Sequence, residues 1–439
     1  YRPMKYHIWT EGCQMNVADS DRIARALGTL GLEETNDASQ AGMIILNTCV
    51  VRQSAEDRAL GRLNSLRPLK QQNPELVIGL MGCLVGIKGN PALEKRYPFV
   101  DIFAAPSDPE PFLRFLENRI EIEASESWRR QVDEVLDQEF AVTTDARHTV
   151  SENLPIVLGC SHACAYCVIP ARRGKERSRD PEKILAEAQV MVAHGAKELV
   201  LLGQIVDRYG IDLINGILLP ELLARLSEID GLERIRFLTS HPSWMTDSLI
   251  EAVAELPKVM PHIEVPVQAG DDEILLQMRR GYTNREYRDL VARIRDRIPG
   301  VSIGTDIIVG FPGESPAAFE ETYKLLEDLR LDVAHLARYS PRPNTYSSKF
   351  FEDDVPAEEK MRRFRALEDL QKRVVSEINQ QFLGQTQQVL FEAKQKERWR
   401  GRTSTNRLVF VESANDLTGQ LRNVKINWTG PWSLLGTLT

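Results

Sequence analysis

The chain has 439 residues, of which 42% are hydrophobic and 27% charged, with a formal net charge of −8. This length allows two or three domains with sizeable cores, and no apolar run reaches the roughly 18 residues of a membrane span. The acidic balance excludes nucleic-acid binding through overall charge, so any RNA must be held by local basic clusters. The first residue is Tyr1, which leaves Met4 as a candidate start. With no signal-peptide pattern at its N-terminus, the protein is expected in the cytoplasm, where its six cysteines read as ligands or catalytic groups rather than disulfides.

The first 105 residues alternate strand and helix: strands at Tyr6–Thr10, Gly42–Thr48, Leu76–Gly82 and Val100–Ala104, helices at Val17–Leu30 and Ser54–Gln71. Short apolar strands between amphipathic helices predict a doubly wound parallel sheet. Cys13 follows the first strand, Cys49 closes the second and Cys83 closes the third. Such sheets bind ligands at the carboxyl ends of their strands, so three thiols distant in sequence are expected at one edge as a three-cysteine cluster site. Three unrelated core cysteines are the alternative.

Residues 106–153 read as a linker, with one helix at Pro109–Asn118 and a charged, weakly periodic stretch from Glu121 to Val150. The strand Pro155–Leu158 follows and leads into Cys160, Cys164 and Cys167, spaced C-x3-C-x2-C with Tyr166 before the last. Three thiols on one short loop suit an iron–sulfur cluster with one iron lacking a protein ligand better than tetrahedral zinc, which normally takes four. A disulfide between two of them would strand the third. The run Arg172 to Arg179, directly after the loop, reads either as the exposed flank of the next helix or as a grip on a polyanionic substrate.

Five more apolar strands, at Glu198–Gly203, Arg234–Ser240, Ile263–Val267, Ile303–Val309 and Val333–Tyr339, alternate with helical patterns. Six β/α units with right-handed crossovers predict a partial (β/α)6 barrel, whose active site lies in the loops after the strand ends. Gly203, Gln204, Ser240, Gln268 and Gly310 stand at those ends as candidates for contact with a small molecule. The last segment is a small all-β module in which eight basic residues oppose four acidic ones between Gln381 and Thr439. Arg398, Arg400, Arg402 and Arg407 make it a candidate RNA grip, or a solvated surface.

The Cys160–Cys167 loop on the first unit of a six-unit barrel resembles the radical S-adenosylmethionine (radical SAM) superfamily. The full chain, with Glu-Gly-Cys13-Gln-Met-Asn, Asn-Thr-Cys49, Met-Gly-Cys83 and the run Arg-Gly-Lys-Glu-Arg-Ser-Arg, resembles its methylthiotransferase family. Thr239-Ser240-His241-Pro242, Tyr339-Ser340-Pro341-Arg342-Pro343 and Gly401 to Arg407 are most similar to the tRNA branch, which methylthiolates isopentenyladenosine beside the anticodon. The tail looks like the family's TRAM domain.

The resemblance implies three parts: an N-terminal methylthiotransferase domain over 1–105, a radical SAM core over 154–375 and a TRAM-like RNA-binding domain over 376–439. It implies two 4Fe-4S clusters. Cys160, Cys164 and Cys167 would hold the one that binds and cleaves S-adenosylmethionine to a radical; Cys13, Cys49 and Cys83 would hold an auxiliary one that carries sulfur. Tyr166 is expected over the cofactor's adenine and Gly203-Gln204 near its amino group. Arg172, Arg173 and Arg177, with the four tail arginines, are expected on the anticodon stem-loop of tRNA. A monomer, an electron donor such as flavodoxin or ferredoxin, a sulfur source and the absence of a membrane complete the expectation. The alternative activity is methylthiolation of a differently modified tRNA adenosine or of a ribosomal-protein aspartate. The chain departs from the family pattern at Ile205, Asp207, Ala269 and Asn344.

Overall fold

A computed structural model describes residues 4–117, 125–137, 149–214 and 216–439. The chain divides into two compact units, the first made of 1–147 with Leu158–His162 and Cys167–Arg177, the second of His148–Val157, Ala163–Tyr166 and Ser178–Thr439.

In the first unit five parallel strands run in the order Glu33–Glu34, Lys5–Thr10, Met43–Thr48, Val77–Gly82, Ile102–Ala104. The two central strands are buried at every residue, as continuous apolar runs in a parallel sheet must be. Alternate side chains feed two cores. Met43, Ile45 and Val77 pack with Ile23 and Leu27 on one face, while Ile44, Leu46 and Ile78 pack with Leu63 and Leu66 on the other. The doubly wound arrangement follows from this two-sided burial. The edge strand Glu33–Glu34 and the helix Pro91–Arg96 are too short to show a period in the sequence.

Part of the stretch read as a linker is helical. Glu110–Glu117 contributes Phe112, Leu113 and Leu116 to the first core, and Ser125–Asp137 contributes Val132, which is fully buried. The rest of the charged stretch, 118–124 and 138–148, lies outside the described residues.

In the second unit six parallel strands form two three-stranded sheets. Ser151–Pro155, Glu198–Leu202 and Arg234–Phe237 make one; His262–Glu264, Ser302–Val309 and Val333–Arg338 make the other. The first strand begins earlier than its apolar pattern predicts, because Ser151 and Asn153 pair with Glu198 and Val200 even though their own side chains are polar. A 24-residue helix, Ala357–Gln380, buries Leu367, Leu370 and Val374 and leads to the tail.

The tail is a closed five-stranded barrel of Thr386–Gln395, Arg398–Thr403, Leu408–Val411, Leu434–Leu438 and Leu421–Thr429. The segment Gly401 to Arg407 anchors it to the β/α part of the same unit. Arg234 donates to the Arg402 carbonyl at 2.7 Å, and Arg236 donates to the carbonyls of Thr403 at 2.7 Å and Ser404 at 2.8 Å. Asn406 bonds His262 at 3.2 Å, and Arg407 pairs with Asp332. Arg236 is itself fixed by Glu198 at 2.8 Å.

Candidate metal centres

Three strand ends and one helix start build the first centre. Thr10 pairs with Asn47 and Thr48 with Gly82, so three neighbouring strands leave the sheet at one edge, and Cys13, Cys49 and Cys83 follow. Cys13 caps the helix Gln14–Thr29. Asn16 Oδ1, three residues on, accepts from both the Cys13 N–H and its thiol at 3.3 Å. Asn16 Nδ2 donates to Asn47 Oδ1 at 3.0 Å and to the Thr48 carbonyl at 3.1 Å. Asn47 Nδ2 returns a bond to the Asn16 carbonyl at 2.7 Å. These two fully buried amides clamp the Cys13 turn onto the strand that leads to Cys49. Gly12 permits the approach: with φ +149°, a Cβ there would stand 2.9 Å from Cys49 Cβ.

The three thiols sense one another. Burial, with the Cys13 charge adding to it, raises the Cys49 thiol, and burial pushes Cys83 up to about 11 with Cys49 and Cys13 contributing. Unbridged thiols of which Cys49 and Cys83 are desolvated and resist ionising alone are suited to a cation that takes them as thiolates. Arg173 opposes the shift at Cys83 with its positive charge. Its Nε is buried without a partner, a donor left over for an anionic ligand. The donor set therefore fits an iron–sulfur cluster. Among the described residues, no three Cys, His, Asp or Glu side chains are gathered to hold a single metal ion; in a cluster each thiolate has an iron of its own.

The second cysteine set lies on the loop after the first barrel strand. Gly159, at φ +69°, brings the loop so close to the following segment that a Cβ would stand 2.2 Å from the Lys175 carbonyl, and Cys160 N–H donates to the Gly174 carbonyl at 3.0 Å. Cys167 Sγ accepts from the Ile169 N–H at 3.5 Å. In the second unit, the loop's apex is held by Ala165, whose N–H donates to the Met278 carbonyl at 3.0 Å and whose carbonyl accepts from Ser347 at 2.8 Å. Arg280 Nη1 donates to Cys164 Sγ at 3.1 Å, its Nη2 to the Pro266 carbonyl and its Nε to Tyr282. Burial works against the Arg280 charge, but Tyr166, Tyr282 and Cys164 outweigh it and hold the group charged.

The strand-end candidates are placed as follows. Ser240 is buried with its hydroxyl unpartnered, which marks it as open to a ligand. Gln268 is buried at φ +79°, and Thr239 beside Ser240 lies at φ +70°; strained backbone of this kind collects at ligand sites. Gln204 is half-buried. Gly203 and Gly310 are tight packing points, where a Cβ would stand 3.1 Å from Val157 and 2.3 Å from Lys360. Asp207, one of the departures, accepts the His241 N–H through both carboxylate oxygens at 2.9 and 3.2 Å. Asn344, another, sits at φ +70°, a conformation Asn adopts more readily than most residues.

The basic residues divide. Arg177 and Lys175 are exposed and Arg172 half-buried. Arg173 pairs inward with Asp19 at 2.9 Å, and Arg179 with Glu187 at 2.7 Å. In the tail, Arg398 pairs with Glu412, Arg400 and Arg402 share Glu392, and Arg407 stacks on Phe382. Asn16 and Asn47 stand in the motifs quoted from the sequence but with no role assigned, and Asp19 and Arg280 carried no assignment at all. Asn16 had a signal, since its place three residues after Cys13 is the spacing of a capping box; the others depend on tertiary contacts.

Three family models match: "Uncharacterized protein family UPF0004" over residues 5–105, "Radical SAM superfamily" over 154–326 and "TRAM domain" over 380–439. The tRNA-2-methylthio-N(6)-dimethylallyladenosine synthase of Roseiflexus sp. (strain RS-1) is 47% identical over 440 residues, covering 100% of this chain and 90% of that one. The protein of the same name from Dehalococcoides mccartyi (strain CBDB1) is 45% identical, covering 99% and 98%. The structure of the radical S-adenosylmethionine methyltransferase TsrM from Kitasatospora setae, with cobalamin and a [4Fe-4S] cluster bound, matches with a TM-score of 0.54 at 13% identity, over 88% of this chain and 80% of that one. That match concerns the fold alone. With relatives this similar over its whole length, the chain belongs to the tRNA-2-methylthio-N(6)-dimethylallyladenosine synthase family of radical SAM proteins.

Proposed function

We propose that the protein is a tRNA methylthiotransferase that adds a methylthio group to C2 of N(6)-isopentenyladenosine at position 37, using two 4Fe-4S clusters and two S-adenosylmethionine-dependent steps. The observation that carries the two-cluster part is the gathering of Cys13, Cys49 and Cys83 at one sheet edge, in addition to the Cys160–Cys167 loop. The parts are 1–105 for the auxiliary cluster, 154–375 for the radical core and 376–439 for RNA, joined by 106–153.

When bound, the clusters and S-adenosylmethionine supply the radical chemistry that an aromatic C–H bond requires. The chain's own residues hold and orient. Cys160, Cys164 and Cys167 ligate one cluster, with Arg280 fixing Cys164. Tyr166, Gln204, Ser240 and Gln268 face the S-adenosylmethionine, and Ser240 brings a buried hydroxyl with no other partner. Cys13, Cys49 and Cys83 would ligate the second cluster, whose chemistry when bound would be sulfur supply.

For tRNA, the exposed Lys175, Arg177, Arg398, Arg422 and Lys425 are suited to phosphates, and Trp428 and Trp432, 50% and 62% exposed, to stacking on unpaired bases. Arg173, Arg234, Arg236 and Arg407 are occupied within the protein. An external one-electron donor and a sulfur source are required, and the enzyme acts in the cytoplasm as a monomer. The test is mass spectrometry of tRNA nucleosides from a host that lacks its own enzyme and expresses this chain. The 2-methylthio derivative of isopentenyladenosine is expected; unmodified isopentenyladenosine alone would refute the substrate.

A further inference from the structure

The three-cysteine centre contains a charged pair that ligation does not require. Arg173 ends the helix Ile169–Arg173, and its side chain is 3% exposed. It faces Asp19, itself 1% exposed and on the helix that Cys13 caps, at 2.9 Å, and acts electrostatically on Cys83, Cys13 and Cys49. Asp19 is held in turn by the Ser107 hydroxyl. Burying such a pair is costly, and well-packed apolar residues would often serve a core equally well. Its position among three sulfurs gives it a different use.

We propose that Arg173 is a positioning residue of this centre: it keeps one fixed positive charge against the Cys13, Cys49 and Cys83 sulfurs, and Asp19 sets how much of that charge the centre feels. The proposal rests on the reading that these cysteines hold a cluster. Of the two oxidation states, the reduced one carries the extra negative charge. A neighbouring cation stabilises it and raises the reduction potential, as outer-shell groups do at metal sites generally. Arginine does not lose its proton in this role. Removing Arg173 therefore lowers the potential and removing Asp19 raises it. Removing both takes away a neutral pair and leaves the potential near its starting value.

The test uses the full chain with Cys160, Cys164 and Cys167 replaced by Ala, reconstituted anaerobically with iron and sulfide, so that one cluster remains for redox titration followed by electron paramagnetic resonance. Arg173→Met is expected to shift the midpoint negative and Asp19→Asn positive. The double variant should fall between them, and Arg173→Lys should stay closer to the parent than Arg173→Met. A merely structural role predicts instead that the double variant is the most perturbed. Single variants that shift in the same direction, or not at all, overturn the proposal. If Arg173→Met holds no iron, Asp19→Asn decides: without a positive shift the proposal falls. A parent that takes up no iron would overturn the cluster reading itself, so the two failures are distinguishable.

Discussion

The two cysteine sets are built in opposite ways. Cys160, Cys164 and Cys167 lie within eight residues, on a loop shaped by local backbone bonds such as that from Cys160 to Gly174. Cys13, Cys49 and Cys83 come from three strand ends, and their approach depends on sheet register and on the buried Asn16–Asn47 clamp. A buried arginine acts on a sulfur in each set, but in different company. Arg173 is balanced by the Asp19 carboxylate, whereas Arg280 donates to a tyrosine hydroxyl and a backbone carbonyl, with no carboxylate bonded to it among the described residues. A local loop needs its chain geometry kept; an assembled site needs its scaffold kept.

The largest expected effects come from removing ligands. Cys160→Ala, Cys164→Ala and Cys167→Ala together should abolish formation of 5′-deoxyadenosine from S-adenosylmethionine. Cys13→Ala, Cys49→Ala and Cys83→Ala together should retain it and lose the methylthio product. Chromatography of both products checks the division, and equal losses in both variants would erase the contrast. Next in size is the scaffold. Asn16→Ala leaves Asn47 Oδ1 buried without its donor, at about 1–3 kcal/mol, while the Thr48 carbonyl keeps the Cys83 N–H at 2.9 Å. Iron bound at Cys13, Cys49 and Cys83 should fall while the loop's iron stays, as measured in the three-alanine backgrounds. Arg280→Met should do the reverse: it leaves the Pro266 carbonyl and Tyr282 without that donor and frees Cys164, which lowers the yield of 5′-deoxyadenosine with no loss of iron from Cys13, Cys49 and Cys83.

The same contrast explains what could be read in the sequence. The loop's spacing was visible because its ligands are local, and the sheet edge was visible because cysteines at the ends of successive parallel strands must share it. Charge was harder to place. In the run Arg172 to Arg179 a basic residue looks the same whether it faces solvent, as Arg177 does, or a buried carboxylate, as Arg173 and Arg179 do. Only the Asp19 and Glu187 partners, distant or one helix away, decide it. Likewise Gly401 to Arg407 reads as a basic RNA motif, yet its carbonyls accept from Arg234 and Arg236 and its Arg407 pairs with Asp332. The missed helix Ala357–Gln380 carries charge on most of its surface, so its buried stripe of Leu367, Leu370 and Val374 is narrow.

The smallest expected effect concerns Asn344, one of the departures from the pattern that the resemblance implies. Asn344 stands at φ +70°, in the left-handed region that favours Gly. A left-handed backbone costs an ordinary L residue about 1–2 kcal/mol, a penalty that Gly lacks and that Asn reduces through local hydrogen bonding. Asn344→Gly should therefore change the midpoint of thermal unfolding little, while Asn344→Ala should lower stability by about 1 kcal/mol. Neither should alter iron content or the yield of 5′-deoxyadenosine. If Asn344→Gly instead changes the ratio of methylthiolated to unmodified nucleoside at unchanged stability, the Asn344 side chain itself acts on the substrate, and the departure is functional rather than a second solution to the same turn.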